Sequence, residues 1–336
     1  MSPPEIAKLQ SHLEADEAIL EYYGYDDDYY VFVMTQEGVV GTRIDGSSLL
    51  ADINAFRATI QNPEDSTYLE KGGALYNQLV QPVTGYLTNV KSLTIVPHGP
   101  MHYLPFSALS NGNGFLIDHY ELRILPSASV LSFIGGDRTA KDSTLILGNP
   151  DLGDPNMDLP GAQVEAEAIA GKLSNATLYM RKQASESLIK REGGQYGHLH
   201  LASHGVFDPE NPLGSGLLLA KDQANDGVLT VGELFELNLD ADLVTLSACE
   251  TALGEITNGD DVVGFTRGFL YAGTDSIVSS LWQVSDAATS ILMQSFYDTL
   301  NVASKRSSLR AAQLHLKDTE YAHPFYWAAF QLTGES

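Results

Sequence analysis

From about residue 93 onward, short apolar runs alternate with stretches of helical period, and this alternation restricts the chain more than any other feature. The runs cover residues 93–96, 122–125, 144–147, 198–202, 217–220, 243–247 and 276–281. Segments of helical period cover 128–134, 161–173, 185–192, 231–237, 262–272, 287–302 and 307–317. Runs this short and apolar are buried on both faces, which predicts an α/β fold with a mostly parallel sheet flanked by helices. In such sheets ligands sit beyond the carboxyl ends of the strands, so chemistry is expected just after a strand. Upstream, residues 29–44 read as a hairpin turning at Gln36 to Gly38. Residues 47–87 read as two helices broken at Asn62–Pro63. The first 25 residues or so are polar and read as peripheral. The polar, glycine-containing stretch 135–142 is the expected boundary between residues 1–140 and residues 141–336.

Composition removes whole classes of function. With 19 basic against 43 acidic residues the net charge is −24. A phosphate-binding surface needs the opposite sign, so no nucleic acid or anionic membrane is expected as a partner. A single cysteine excludes intrachain disulfides, zinc ribbons and CxxC pairs. A chain of 336 residues without disulfides fits a reducing compartment. With no basic leader before an apolar stretch and no run of about 18 apolar residues, neither a signal peptide nor a membrane span is expected, and the expected location is the cytoplasm. Phosphate-loop, GxGxxG, GxSxG and HExxH motifs are absent, so nucleotide, Rossmann-cofactor, serine-hydrolase and zincin chemistry lose their main support.

Two strand ends stand out. HLHLASHG (198–205) runs out at Ser203-His204-Gly205, and LVTLSACETA (243–252) delivers the only cysteine, Cys249, just past its apolar run. If the two strands are adjacent and parallel, His204 and Cys249 reach the same sheet edge. A thiolate is the nucleophile, and a nearby imidazole generates it or protonates a leaving amine. The N–H groups of Gly205 and Cys249 would cradle an oxyanion, and glycine keeps that approach unobstructed. Taken alone, a cysteine at the end of a buried strand is more often inert. His198 and His200 are read as structural. His98 and His102, in PHGPMHYLPF, are a weak second site with no cysteine nearby in sequence.

These residues resemble a known family. LHLASHG, LVTLSACETALGE, GFTRGFLYAGTDSIVSSLWQVSDAAT and HPFYWAAFQLTG resemble the CHAT domain, a caspase-like cysteine peptidase domain related to separases. YYVFVMTQEGVV, LTIVPHGPMHYLPFSAL and YELRILPSASVL resemble its front half, so the likeness runs over roughly residues 18 to 334. The resemblance implies a caspase–haemoglobinase fold, with a degenerate caspase-like half in residues 1–140 and the catalytic half in 141–336. It implies His204 and Cys249 as the dyad, with Gly205 and Cys249 as oxyanion donors. It also implies that Ser279 to Trp282 pair with an extended substrate, Ser280 among them, and that Trp282 packs on its side chains. Core packing is the competing reading for Trp282.

The activity implied is that of a cysteine endopeptidase without metal or organic cofactor. In separase-like LWxVxD segments the acid lines the primary pocket, which assigns Asp286 here and implies cleavage after Arg, with Lys second. The competing reading of Asp286, or of Ser285 beside it, is a helix N-cap. Asp260 and Asp261 are the fallback acids. The partners implied are a protein or peptide substrate and an activating partner or sensor subunit. The alternative is a catalytically silent or latent interaction module of the same fold. Self-cleavage is a weaker expectation for the loops carrying Arg138, Lys141 and Lys221.

Overall fold

The computed structural model describes residues 5–25, 28–134, 141–206, 208, 210–247 and 260–336, with side chains from 264 onward in the last stretch. The strands in chain order are β1 Glu17–Tyr25, β2 Asp28–Thr35, β3 Gly38–Asp45, β4 Ser92–Val96, β5 Glu121–Ile124, β6 Thr144–Pro150, β7 Ala176–Arg181, β8 His198–Ala202, β9 Gly205–Val206, β10 Gly216–Leu218, β11 Val228–Thr230, β12 Leu243–Leu246, β13 Ser276–Ser280 and β14 Phe330–Gly334. Eleven of them form one sheet in the order β3-β2-β1-β4-β5-β14-β13-β12-β8-β6-β7. Its inner part is parallel except where β14 runs against β13. The remaining three, β9 to β11, make a small antiparallel sheet.

Local sequence explains most elements. The helix Leu49–Ile60 buries Leu49, Ile53, Phe56 and Ile60, one stripe at helical spacing. Pro63 follows, and the chain restarts in the helix Tyr68–Leu79. The helix Asp286–Leu300 buries Ala288, Thr289, Leu292, Met293, Phe296 and Tyr297, again one face. Each large apolar side chain covered in this way stabilises the fold by about 1.5–3 kcal/mol.

Two expectations are corrected. The N-terminal segment is not peripheral: β1 lies third from the sheet edge, and Ala18, Ile19 and Leu20 are fully buried. The run at 217–220 does not join the main sheet but supplies β10 of the small one. Strands β7 and β14 were not anticipated.

Strand β14 is the seam of the molecule. It comes from the end of the chain yet lies between β13 and β5, so the sheet runs without interruption across the segment 135–142. One apolar core correspondingly includes Leu20, Phe56 and Ile95 with Leu292, Phe296 and Trp327. A buried charge cluster crosses the same seam. Glu17 on β1 lies 2.9 Å from Arg123 on β5 and 3.0 Å from Arg306 on the helix Lys305–Lys317. Thr94 donates to Glu17 at 2.7 Å, and Arg123 donates to the Gly334 carbonyl at 3.3 Å.

Candidate active site

Strands β8 and β12 are adjacent and parallel, with His200 opposite Thr245 and Leu201 opposite Leu246. Parallel neighbours leave the sheet at the same edge. His204 stands three residues beyond Leu201, as Cys249 stands three residues beyond Leu246 in sequence. Cys249 lies outside the described residues, which end on this side at Ser247.

His204 is 9% exposed. Its Nε2 lies 3.1 Å from the Met157 carbonyl oxygen, and its buried Nδ1 has no hydrogen-bond partner among the described residues. A carbonyl only accepts, so this contact requires the proton on Nε2. The neutral ring then presents Nδ1 as its free lone pair. The carbonyl comes from the loop after β6, which two features fix. Asn149, with φ 45°, accepts the Leu159 N–H at 2.9 Å through Oδ1. Arg181, with φ 53°, pairs with Asp158 at 2.7 Å. Neither the carbonyl nor these anchors was apparent in the sequence, because a backbone acceptor has no residue signature.

Beside the histidine, Ser203 donates to the Leu218 carbonyl, and Gly205 pairs with Leu217 at the start of β9. The small sheet thus holds the turn that follows β8.

A small, solvent-connected pocket with room for about one water opens at the same edge. Ser247 from the end of β12, Ser280 from β13, Glu165 from the helix Pro160–Lys172, and Asp286 line it. Among the described residues its lining contains carboxylates and no lysine or arginine. Asp286 is exposed and occupies the first turn of its helix, where a carboxylate suits the helix dipole. Ser285 is the N-cap residue, and its hydroxyl makes no capping bond. The Asp286 side chain lies against Gly161, where a Cβ would overlap it. The side chains of Asp260 and Asp261 lie outside the described residues.

Ser280 is buried at the end of β13, and β14 pairing continues to it while β12 stops opposite Ser279. Trp282 is 5% exposed and donates its indole N–H to the Phe325 carbonyl at 3.0 Å. That is the environment of a core tryptophan, so its placement favours the packing reading over substrate contact. His98 lies between the rings of Tyr23 and Tyr29.

Of the proposed cleavage positions, Arg138 lies outside the described residues. Lys141 is tied by its ammonium to Asp240 and the Gly194 carbonyl, and Lys221 is exposed. Among the described residues, one carboxylate group is close enough to hold a cation: Asp242, Asp275 and Glu335, at the opposite sheet edge. The Lys305 ammonium already sits 2.6 Å from Asp242 and 3.7 Å from Glu335. Burial alone would raise the Asp242 carboxyl, but its contacts with His198 and Lys305 outweigh it and hold the pKa down at about 2. Among the described residues no helix is long and apolar enough to cross a membrane.

A largely parallel sheet flanked by helices, with the SHG and SAC sequences following neighbouring strands, defines a caspase-like, cysteine-peptidase-like chain with the caspase–haemoglobinase fold. Among solved structures, the Saccharomyces cerevisiae separase–securin complex aligns with a TM-score of 0.62 at 12% identity, over 98% of this chain and 31% of that one. Gingipain R of Porphyromonas gingivalis, an Arg-specific cysteine proteinase, aligns with a TM-score of 0.51 at 10% identity, over 79% of this chain and 67% of that one. The chain belongs to the CHAT domain family, which matches residues 69–335. Tetratricopeptide repeat protein 28 of Homo sapiens is 26% identical over 78% of this chain, and its Mus musculus counterpart 28%. The chain spans 13% of the length of each of these relatives.

Proposed function

We propose that the chain is a cysteine endopeptidase that cleaves protein substrates after a basic residue, Arg before Lys. Cys249 is the nucleophile and His204 its acid–base partner. The thiol proton passes to His204 Nδ1, and the thiolate attacks the scissile carbonyl carbon. The N–H groups of Gly205 and Cys249 hold the resulting oxyanion. His204 returns the proton to the departing amine as the C–N bond breaks, leaving a thioester. Water then attacks the thioester, losing its proton to Nδ1, and the thiolate is released. Asp286 receives the basic side chain, and the Ser279 to Trp282 backbone, Ser280 included, aligns the extended substrate.

The observation that carries this reading is the register of β8 with β12, combined with the Met157 carbonyl on His204 Nε2. The carboxylate-lined cavity at that edge supports the basic preference. A silent or latent module is the second reading, favoured by the burial of His204. An activating partner would relieve that burial.

The test is a proteome-derived peptide library, with new termini mapped for wild type and Cys249→Ala. The reading expects cuts after Arg, fewer after Lys, and none in the variant. Cuts that persist in Cys249→Ala overturn it.

A further inference from the structure

We infer that Glu165 is a second selectivity acid, at the buried end of the cavity, and that it binds the guanidinium of the residue before the cut. This rests on the peptidase reading above. Glu165 is 2% exposed, yet it lines the cavity together with Asp286, Ser247 and Ser280. Its Oε1 stands 2.9 Å from His200 Nε2 but is not aligned for a hydrogen bond, and no described group donates one to it. A buried carboxylate oxygen without a donor is costly, and a ligand bringing N–H groups removes that cost.

Both nitrogens of the His200 ring have other polar neighbours besides Glu165. His200 Nδ1 lies 3.2 Å from the Tyr297 hydroxyl, which donates to Thr245 at 3.1 Å. Burial pushes the Tyr297 phenol pKa up, so it stays a neutral hydroxyl. His200 Nε2 also faces Ser247 at 3.4 Å. Glu165 Oε1 is therefore held 2.9 Å from His200 Nε2 while lacking an aligned hydrogen-bond donor.

Guanidinium matches this site better than ammonium does. It carries five donors in a planar fork and can engage two carboxylates from two sides. Asp286 meets it near solvent, and Glu165 meets it inside. An ammonium on a flexible stem reaches one of them well.

The experiment compares two peptides that differ only in Arg against citrulline, its uncharged isostere, cleaved by wild type and Glu165→Gln. Glutamine keeps the shape and removes the charge. The expected result is an Arg-to-citrulline ratio of kcat/KM lowered about 10- to 100-fold, as for loss of a charge-assisted hydrogen bond. A purely structural role would lower both peptides alike. An unchanged ratio overturns this inference while leaving the peptidase reading standing. Wild type cleaving neither peptide overturns both. If Glu165→Gln melts below assay temperature, Glu165→Asp replaces it, keeping the charge with one methylene less reach. The proposal then expects preference to shift from Arg toward the longer homoarginine, and an unchanged ratio of these two overturns it.

Discussion

The Nε2 of His204 lies 3.1 Å from the carbonyl oxygen of Met157, and that contact determines which ring nitrogen is left for chemistry. With Nε2 as donor, Nδ1 is the nitrogen that the proposed mechanism uses to exchange protons. The positioning group is a backbone oxygen, so its precision depends on whatever holds the loop between β6 and the helix Pro160–Lys172.

Asn149 is one of the two anchors of that loop. Asn149→Ala removes the acceptor for the Leu159 N–H and places alanine in left-handed backbone. The expected outcome is a fall in kcat of about tenfold, as for one lost hydrogen bond, with KM little changed. Asn149→Gly should recover stability but not rate, since it relieves only the backbone. Steady-state kinetics alongside thermal melts separate the two effects. An unaltered kcat in both variants means the loop is held by other contacts.

Glu17 joins the two halves of the chain. Burial raises its pKa, but Arg123 and Arg306 outweigh burial and hold the carboxyl below its ordinary value of 4.5. A depressed folded-state value means that the stabilisation is complete above 4.5 and is lost as pH falls through the folded-state value. Glu17→Gln leaves the buried Arg123 without its ion-pair partner and Arg306 with only Glu121, at 4.0 Å. It should cost about 3–5 kcal/mol at neutral pH and flatten the acid limb of the stability profile. Urea melts from pH 7 to pH 3 read both quantities. A neutral-pH loss below about 1 kcal/mol would show the cluster to be solvated rather than buried.

Gly161 and Asp286 share one contact between two helices. In Gly161→Ala the new Cβ overlaps the Asp286 side chain, which has to turn or carry its helix with it. Preference for Arg over apolar residues should drop by about tenfold or more, while the circular dichroism spectrum stays native. Unchanged selectivity together with a native spectrum would remove Asp286 from the pocket.

Trp282 tests a competing assignment. Trp282→Ala should destabilise by about 3–5 kcal/mol, as for a truncated core aromatic. Trp282→Phe should preserve folding and KM. A stable Trp282→Ala variant with a raised KM would return the residue to the substrate.

Several of these relationships were legible in the sequence, and the others were hidden for physical reasons. Apolar runs bounded by turns located β4, β6, β8, β12 and β13, because a strand buried on both faces has no polar alternation to disguise it. Strand β1 was missed because acidic and tyrosine-rich neighbours masked Ala18 to Leu20. Strand β14 was missed because its place depends on β5, about 200 residues upstream, and not on local pattern. His204 stood out as a polar residue ending an apolar strand. Glu165 did not, because a glutamate among the small residues of the helix Pro160–Lys172 looks solvated until packing against β8 covers it. The charge clamp at Glu17 was likewise invisible, since its partners lie far apart in the chain.

The central claim is that Cys249 and His204 act together on an arginyl substrate. The most direct measurement is intact mass after exposure to a peptidyl-arginine acyloxymethyl ketone, in which a thiolate displaces the carboxylate leaving group and forms a thioether. Wild type should gain one adduct, located on Cys249, and Cys249→Ala none. In His204→Ala the adduct should form about 10²-fold more slowly or less, the loss expected when general acid–base assistance is removed. Absence of the adduct in wild type, or its formation at the same rate in His204→Ala, would contradict the account.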